Sequence, residues 1–168
     1  VNGRSEIPMQ SAVWLPPNAT ADRQPERYRH LLAMARQAGL NALHVAGGGL
    51  VEDETFYELC DRTGMLLFHG LPLVGAQDPE VFARNCEEVV RRLRNHPCVA
   101  AWAVGGSATP AGAEPGLVAQ QVEICRRLDP ARPLADAVGG EKWCLWLREA
   151  SGGDRLWRPA ALDVARLP

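Results

Sequence analysis

Short apolar runs alternate strictly with amphipathic segments over most of this chain, and this alternation constrains its fold more than any other feature. The predicted strands are 9–14, 40–45, 65–68, 98–104 and 134–137, and the predicted helices are 25–38, 53–63, 79–94 and 115–128. Strands that alternate with helices through short connections form a parallel sheet covered by helices. The pattern therefore predicts an α/β domain that is either doubly wound or closed into a barrel.

Glycine and proline residues mark the ends of these elements. Pro16-Pro17 cannot continue a ladder and ends the first strand. Gly39 and Gly64 suit the left-handed position after a helix, and Pro79 suits a helix start. The first helix has Asp22 or Thr20 as a possible N-cap.

Composition restricts the classes of function. The chain has 168 residues, 46% of them hydrophobic, which predicts one folded domain with a real core. A net charge of −2 gives no electrostatic reason to expect nucleic acid or an anionic membrane as a partner. The chain contains no apolar stretch long enough to cross a bilayer.

The cysteines are odd in number and widely spaced, with no Cys-x-x-Cys pair. We interpret them as reduced, mostly buried thiols, which favours a cytoplasmic location, although a chain that begins at Val1 could have lost an upstream signal. They are Cys60, Cys86, Cys98, Cys125 and Cys144.

A run of three glycines follows the second predicted strand. Gly47, Gly48 and Gly49 form a loop in which the backbone can lie close to a ligand or to another backbone. Neither Gly-x-Gly-x-x-Gly nor a Walker loop follows any strand, which counts against a nucleotide-binding fold.

Several motifs occur in a distinctive order. They are Trp14-Leu15-Pro16-Pro17, Leu43-His44-Val45-Ala46-Gly47-Gly48-Gly49, Glu52-Asp53, Phe56-Tyr57-Glu58-Leu59-Cys60-Asp61, Leu93-Arg94-Asn95-His96-Pro97, Trp102 and Asp129-Pro130-Ala131-Arg132-Pro133. In order and spacing they resemble the catalytic barrel of glycoside hydrolase family 2, in its β-mannosidase branch. The resemblance covers residue 1 to about residue 140.

The resemblance implies a (β/α) TIM-barrel-like fold, of which the chain would hold the first five strands. A complete barrel needs about 250 residues, so the other strands would come from further sequence or from a partner chain. We expect residues 1–140 to form this partial barrel. Residues 141–168 form an extension, with 142–149 as one helix or irregular, 151–153 as a turn and 158–168 as a tail.

The family resemblance also implies a chemistry: retaining hydrolysis of β-linked mannosides or related sugars, without metal or organic cofactor. That route needs two carboxylates about 5–5.5 Å apart. The family's acid/base glutamate lies five residues beyond the strand tryptophan, where this chain has Ser107. The family's nucleophile lies near a seventh strand that the chain does not reach.

Other ligand-facing positions of the family are also changed. Val13, His44-Val45-Ala46 and Phe68-His69-Gly70 replace the motifs that contact sugar. The candidate binding residues are nevertheless the positions around these strand ends, namely His44, Gly47, Gly48, Gly49, Glu52, His69, Trp102 and Asp136.

Each candidate has a structural alternative. His44 and His69 could share a pocket with Asp136 and form an acid/base or metal site, or they are ordinary strand-end histidines. Glu52 and Asp53 could contact a sugar hydroxyl, although we prefer a helix-capping role for them. We interpret His96 as a helix C-terminal cap rather than a catalytic base. Finally, Trp143, Trp146 and Trp157 could stack on sugars or pack in a core.

The sequence supports three hypotheses of function. The leading one is a non-catalytic, β-mannosidase-like domain that keeps the scaffold and a weakened carbohydrate pocket. The second is an active glycosidase with a relocated acid, for which the carboxylates of Glu52, Asp53, Glu114 and Asp136 are candidates, and with a nucleophile from beyond Pro168. The third is a structural or assembly module with no ligand.

Overall fold

The structure, a computed structural model, describes residues 9–14, 24–47, 51–72, 78–105, 115–136, 145–148 and 154–157. Its strands are β1 (Ser11–Trp14), β2 (Ala42–Val45), β3 (Leu66–Gly70), β4 (Val99–Val104), β5 (Leu134–Asp136), β6 (Leu145–Arg148) and β7 (Asp154–Trp157). Its helices are α1 (Pro25–Gln37), α2 (Glu54–Thr63), α3 (Pro79–Leu93) and α4 (Pro115–Leu128). The predicted alternation over the first five strands is confirmed.

Strands β1 to β5 form one parallel sheet in the order β1-β2-β3-β4-β5. Each neighbour in the sheet is also the next strand along the chain. Because crossovers between parallel strands are right-handed, this order places all four helices on the same side of the sheet. A one-sided helix layer is the arrangement of a barrel and not of a doubly wound sheet, so the fold predicted from the sequence is confirmed.

The strand residues alternate between two apolar layers. One row faces the helices and joins them in the main core, with Leu43, Val45 and Leu67 among its members. The opposite row forms a second, smaller cluster of buried residues. That cluster consists of Ala42, Phe68, Ala101, Ala103 and Ala135. In a barrel arrangement this second row faces the interior, and we call it the interior face.

The helix ends follow the sequence signals in most places. Gly39 and Gly64 have φ values of 82° and 67°, in the left-handed region that glycine adopts without strain. At the start of α3, Asp78 accepts a hydrogen bond from the Glu80 backbone N–H (2.8 Å). The prediction for α1 is wrong, because its N-cap residue is Gln24, immediately before Pro25.

The C-terminal part of the chain also differs from the sequence prediction. Residues 145–148 form neither a helix nor an irregular segment but strand β6, which pairs antiparallel with β7. An isolated helix of eight residues is unstable in water, whereas here the backbone of β6 is paired along its whole length. The predicted turn at 151–153 and the predicted tail at 158–168 lie outside the described residues.

The thiols that the structure describes are free and buried, namely Cys60, Cys86, Cys98 and Cys125. This confirms the prediction of reduced, buried thiols for these four, while Cys144 lies outside the described residues. In the part of the chain that the structure describes, none of the helices combines the length and the apolar character needed to cross a membrane.

The backbones beyond β2 and β3 are in direct contact. A Cβ added to Gly47 would lie 2.3 Å from the carbonyl oxygen of Leu71. A Cβ added to Gly70 would lie 2.4 Å from the backbone nitrogen of Gly47 and 2.8 Å from the carbonyl oxygen of Val45. Both positions therefore require glycine because backbone atoms, which cannot rotate away, occupy the space.

We predict that Gly70→Ala lowers the free energy of unfolding by about 1–3 kcal/mol, the cost of forcing an extra carbon into packed surroundings. Gly116→Ala is the matched control, because a Cβ there meets nothing within 4 Å. That change should be neutral or stabilise the protein by up to about 1 kcal/mol. Urea-induced unfolding followed by circular dichroism measures both, and equal stabilities of the two variants would contradict the close approach.

Candidate functional site

The carboxyl ends of parallel strands are where ligands bind in barrels, and here β2, β3, β4 and β5 end at Val45, Gly70, Val104 and Asp136. Gly47 and Gly70 bring the first two of these ends together. Of the two interpretations of the glycine run, close approach to another backbone applies to Gly47. Gly48 and Gly49 lie outside the described residues.

A buried amide ties the ends of β3 and β4 to α4. The Gly105 backbone N–H donates to Gln121 Oε1 (2.9 Å), and Gln121 Nε2 donates to the carbonyl oxygen of Pro72 (3.0 Å). Gln121 is fully buried, so both of these bonds replace bonds to water. Gln121 is not predicted as a site residue from the sequence, because its only signal is a polar residue on an otherwise apolar helix face.

His44 lies on the interior face. Its ring stacks on Phe68 with centroids 4.9 Å apart, and its Nε2 shares a hydrogen bond with Ser11 Oγ (3.2 Å). Burial lowers the pKa of His44 from 6.5 to about 4. The ring is therefore neutral at physiological pH and can accept or donate one hydrogen bond through each nitrogen.

His69 lies on the opposite, helix-facing side of the sheet. Its Nε2 shares a hydrogen bond with the Tyr57 hydroxyl (2.8 Å), while its Nδ1 is buried and has no hydrogen-bond partner of normal geometry among the described residues. Burial lowers the pKa of His69 to about 4 as well. In register His69 pairs with Val45 and not with His44, so the two histidines do not share a pocket.

Trp102 is fully buried on the helix-facing side of β4. Its Nε1–H donates to Asp129 Oδ2 (2.9 Å), and the Arg132 guanidinium lies 5.7 Å from its ring centroid. The environment of Trp102 is therefore that of a core residue. Asp136 pairs in register with Val104 at the end of β5, and its side chain is outside the described part of the chain.

Glu52 is a buried carboxylate that links β1 to α1. Trp14 Nε1–H donates to its Oε1 (2.8 Å) and the Tyr28 hydroxyl donates to its Oε2 (2.7 Å). Arg92 also donates to the Glu52 carbonyl oxygen (2.9 Å). The capping role preferred from the sequence is wrong for Glu52, because its carboxylate bonds β1 and α1 and not the first turn of α2.

Asp53 occupies the N-cap position of α2, but its side chain makes no capping hydrogen bond. Its Oδ1 is buried and has no hydrogen-bond partner among the described residues. The predicted position is therefore confirmed for Asp53, and the capping hydrogen bond is not formed.

His96 lies between two carboxylates at the amino edge of the sheet. Its Nδ1 is 2.7 Å from Asp61 Oδ2 and its Nε2 is 2.8 Å from Glu54 Oε1. The prediction that His96 caps a helix C-terminus is wrong, because both ring nitrogens bond side chains of α2. Burial opposes ionisation of Asp61, but hydrogen bonds from Cys98 and His96 lower its pKa overall.

Two arginines cross-cap the helices at the same edge. Arg94, at the end of α3, donates to the carbonyl oxygen of Leu128 at the end of α4 (3.0 Å). Arg132 donates to the carbonyl oxygen of Arg94 (2.8 Å). The motifs around residues 93–97 and 129–133 therefore satisfy helix-end carbonyls and lie at the edge opposite the candidate site.

The interior face carries no carboxylate among the described strand residues. Its rows consist of Ser11, Val13, Ala42, His44, Leu66, Phe68, Gly70, Ala101, Ala103 and Ala135. Ser107, at the position of the family's acid/base, and Glu114 lie outside the described residues, as do the side chains of Trp146 and Trp157 and all of Trp143.

Known proteins resemble this chain in sequence. β-Mannosidase from Capra hircus is 35% identical over 101 residues, which is 56% of this chain and 12% of the relative. β-Mannosidase B from Emericella nidulans is 30% identical over 98 residues, 54% of this chain and 12% of the relative. The chain thus spans about an eighth of the length of these curated relatives. No protein-family model matches it.

Solved structures show the same fold. The β-D-mannosidase from Dictyoglomus thermophilum superposes with a TM-score of 0.58 and 28% identity, covering 75% of this chain and 18% of that protein. A GH2 β-galacturonidase from Eisenbergiella tayi gives a TM-score of 0.54 at 21% identity, covering 66% of this chain and 21% of that protein, and supports the fold alone.

The strand order and the superposition define the fold as a partial (β/α) barrel. More narrowly, the chain is similar to part of the β-mannosidases and to structures of glycoside hydrolase family 2, so the resemblance stated from its motifs is confirmed.

The buried histidines predict an acid-sensitive fold. Because the folded-state pKa of His69 is about 4 and its ordinary value is 6.5, the unfolded chain binds protons in this interval that the folded chain excludes. The contribution is fully present above about pH 6.5 and is lost as the pH falls towards 4. His69→Gln should therefore reduce the stability loss between pH 7 and pH 5 by about 1–2 kcal/mol.

Chemical denaturation at the two pH values measures this difference. His30→Gln, an exposed position on α1, is the matched control. If the two variants lose the same stability on acidification, burial of His69 does not explain the acid sensitivity.

Because the Glu52 carboxylate is buried and hydrogen-bonded, we predict that it stabilises the fold. In Glu52→Gln, the amide has one acceptor oxygen where the carboxylate has two, so one buried donor from Trp14 or Tyr28 loses its partner. We expect a loss of about 2–3 kcal/mol. Glu58→Gln is the control, because the ion pair of Glu58 with Arg62 is exposed and worth less than about 0.5 kcal/mol. Thermal and urea unfolding compare the two, and equal losses would contradict this role.

Proposed function

We propose that this chain is a non-catalytic β-mannosidase-like domain that binds carbohydrate at the carboxyl edge of its sheet. The observation that carries the proposal is the chemistry of the interior face, whose described strand rows hold no carboxylate. Retaining hydrolysis needs one carboxylic acid to protonate the leaving group and a second carboxylate to attack the sugar. Ser107, at the acid position, cannot supply that proton at neutral pH.

The relocated acid of an active enzyme has few candidates. Glu52 accepts hydrogen bonds through both of its oxygens in the helix-facing layer. Asp53 begins α2 in the same layer, with Oδ1 buried. His44, the titratable group among the described residues of the interior face, is neutral at pH 7 because burial lowers its pKa to about 4. Almost none of it therefore carries the proton that a general acid must donate. Glu114 and Asp136 remain for an experiment to test.

The proposed carbohydrate surface consists of His44 and the loop of Gly47, Gly48 and Gly49. A neutral imidazole beside Ser11 can exchange hydrogen bonds with sugar hydroxyls. Because Gly47 packs against the backbone beyond β3, close approach of a sugar is proposed for Gly48 and Gly49, which carry no side chain. In this proposal the strand ends are held in place from the helix-facing side by Glu52, His69 and Trp102. Asp136 lies at the end of β5. We also propose the boundary near residue 140 between the partial barrel and the extension that contains β6 and β7.

Hydrolysis is tested on the polypeptide of native length that contains this chain, with its intact mass measured first. We expect no turnover of p-nitrophenyl β-mannoside, nor of a dinitrophenyl β-mannoside, whose better leaving group departs without a general acid. Turnover of either substrate that Glu114→Gln or Asp136→Asn abolishes would replace the proposal with an active glycosidase that has a relocated acid. Turnover of the dinitrophenyl substrate alone, unchanged in these variants, would show that a nucleophile is present and only the acid is lost.

Binding is tested by tryptophan fluorescence during titration with mannose and mannobiose. We expect a saturable change that His44→Ala weakens at least several-fold, while His30→Ala on α1 leaves it unchanged. The absence of any saturable change would favour a structural or assembly module and contradict the carbohydrate-binding part of the proposal.

A further inference from the structure

A second polar cluster lies at the amino edge of the sheet, away from the proposed carbohydrate surface. It brings together Asp61 near the end of α2, His96 in the turn after α3, and Cys98 immediately before β4. One potential ligand atom from each residue lies within 4.8 Å of the other two. His96 and Cys98 lie 35 and 37 positions after Asp61 in sequence, so only the fold brings Asp61 to the other two.

The donor set of this cluster matches a borderline-soft divalent cation. A carboxylate oxygen, an imidazole nitrogen and a cysteine sulfur are all ligands that Zn²⁺ accepts. Mg²⁺ and Ca²⁺, which prefer oxygen ligands alone, fit the set poorly. Asp61 and His96 are partly buried and Cys98 is buried, so the cluster borders solvent on one side and the core on the other.

The surroundings provide the outer contacts that metal-bound histidines have. Nδ1 of His96 faces Asp61 Oδ2 at 2.7 Å, whereas Nε2 faces Glu54 Oε1 at 2.8 Å. Metal-bound histidines typically donate their second ring N–H to a carboxylate, which orients the ring and strengthens the ligand. Glu54 is itself held by Arg92 (3.6 Å) and is half exposed, so this outer contact is formed without a cation.

We propose that Asp61, His96 and Cys98 form a binding site for Zn²⁺ or a similar divalent cation, with Glu54 as the carboxylate that orients the His96 ring. In the bound state His96 would be neutral, with Nδ1 on the cation and its single ring proton on Nε2, donated to Glu54, and the thiol proton of Cys98 would be released to solvent. The cation would join α2 to the segment that leads into β4, and it would therefore stabilise the fold without taking part in carbohydrate chemistry.

Co²⁺ is the probe, since it occupies zinc sites and reports its ligands through absorption. Titration of the metal-free polypeptide of native length should produce visible bands and a near-ultraviolet band from sulfur-to-cobalt charge transfer. Cys98→Ser should abolish the sulfur band, while Cys125→Ser, a buried thiol on α4, should retain it. The absence of a sulfur band in the unmodified protein, or its persistence in Cys98→Ser, would overturn the proposal.

A variant on the exposed side keeps the test valid if Cys98→Ser fails to fold. Glu54→Gln leaves all three ligands in place and should weaken Co²⁺ affinity by about 10- to 100-fold, as loss of an outer carboxylate does. Glu58→Gln, one turn further along α2, should leave the affinity unchanged. Equal affinities of these two variants would contradict the role of Glu54.

Thermal unfolding gives an independent result. A saturating concentration of Zn²⁺, at one hundred times the dissociation constant, should raise the Tm of the unmodified protein by about 5 °C or more. It should leave Cys98→Ser unchanged. A Tm that does not respond to Zn²⁺ in the unmodified protein would overturn the proposed stabilising role, and neither result depends on whether the domain binds sugar.

Discussion

Every strand of the sheet must send one row of side chains to the helices and the other row to the interior, and the rest of the structure depends on this constraint. The helix-facing row carries large residues such as Leu43, Val45 and Trp102, whereas the interior row of β4 and β5 is alanine. Register then fixes which residues can meet, because residues paired across neighbouring strands share a face. A polar side chain can face a ligand in the barrel interior only if its residue belongs to the interior row of its strand.

The same constraint explains which sequence predictions succeeded. Strand and helix positions follow from apolar periodicity and from residues such as Gly39, Gly64 and Pro79, whose signals are local. The pairing of His44 with Phe68, and of Val45 with His69, is not local. Both histidines end short apolar runs, but a difference of one position in register places them on opposite faces. The strand ends could therefore be predicted from the sequence, but the face of the sheet on which each histidine lies could not.

Contacts between distant segments account for the other differences. Glu52 is a loop carboxylate in sequence, and only the folded chain shows that Trp14 and Tyr28 donate to it. Gln121 joins two strand ends through one amide, with nothing in its local pattern to indicate this. Strand β6 forms because β7 pairs with it. In each case the deciding partner lies beyond the reach of helical or strand periodicity.

In the described residues, the contacts that hold the helix ends lie at the amino edge of the sheet, whereas the candidate site lies at the carboxyl ends of the strands. At the amino edge, Arg94 and Arg132 cap the opposite helix ends and Asp129 holds the indole of Trp102, so changes there would unfold helix termini. On the interior face, alanines and a neutral His44 occupy the strand rows, and substitutions in those rows need not disturb the helix layer. A barrel built in this way can lose its catalytic groups while its fold persists. The motifs that carry the family resemblance are therefore structural ones. Their described side chains bond helix ends or buried carboxylates, or pack in the core.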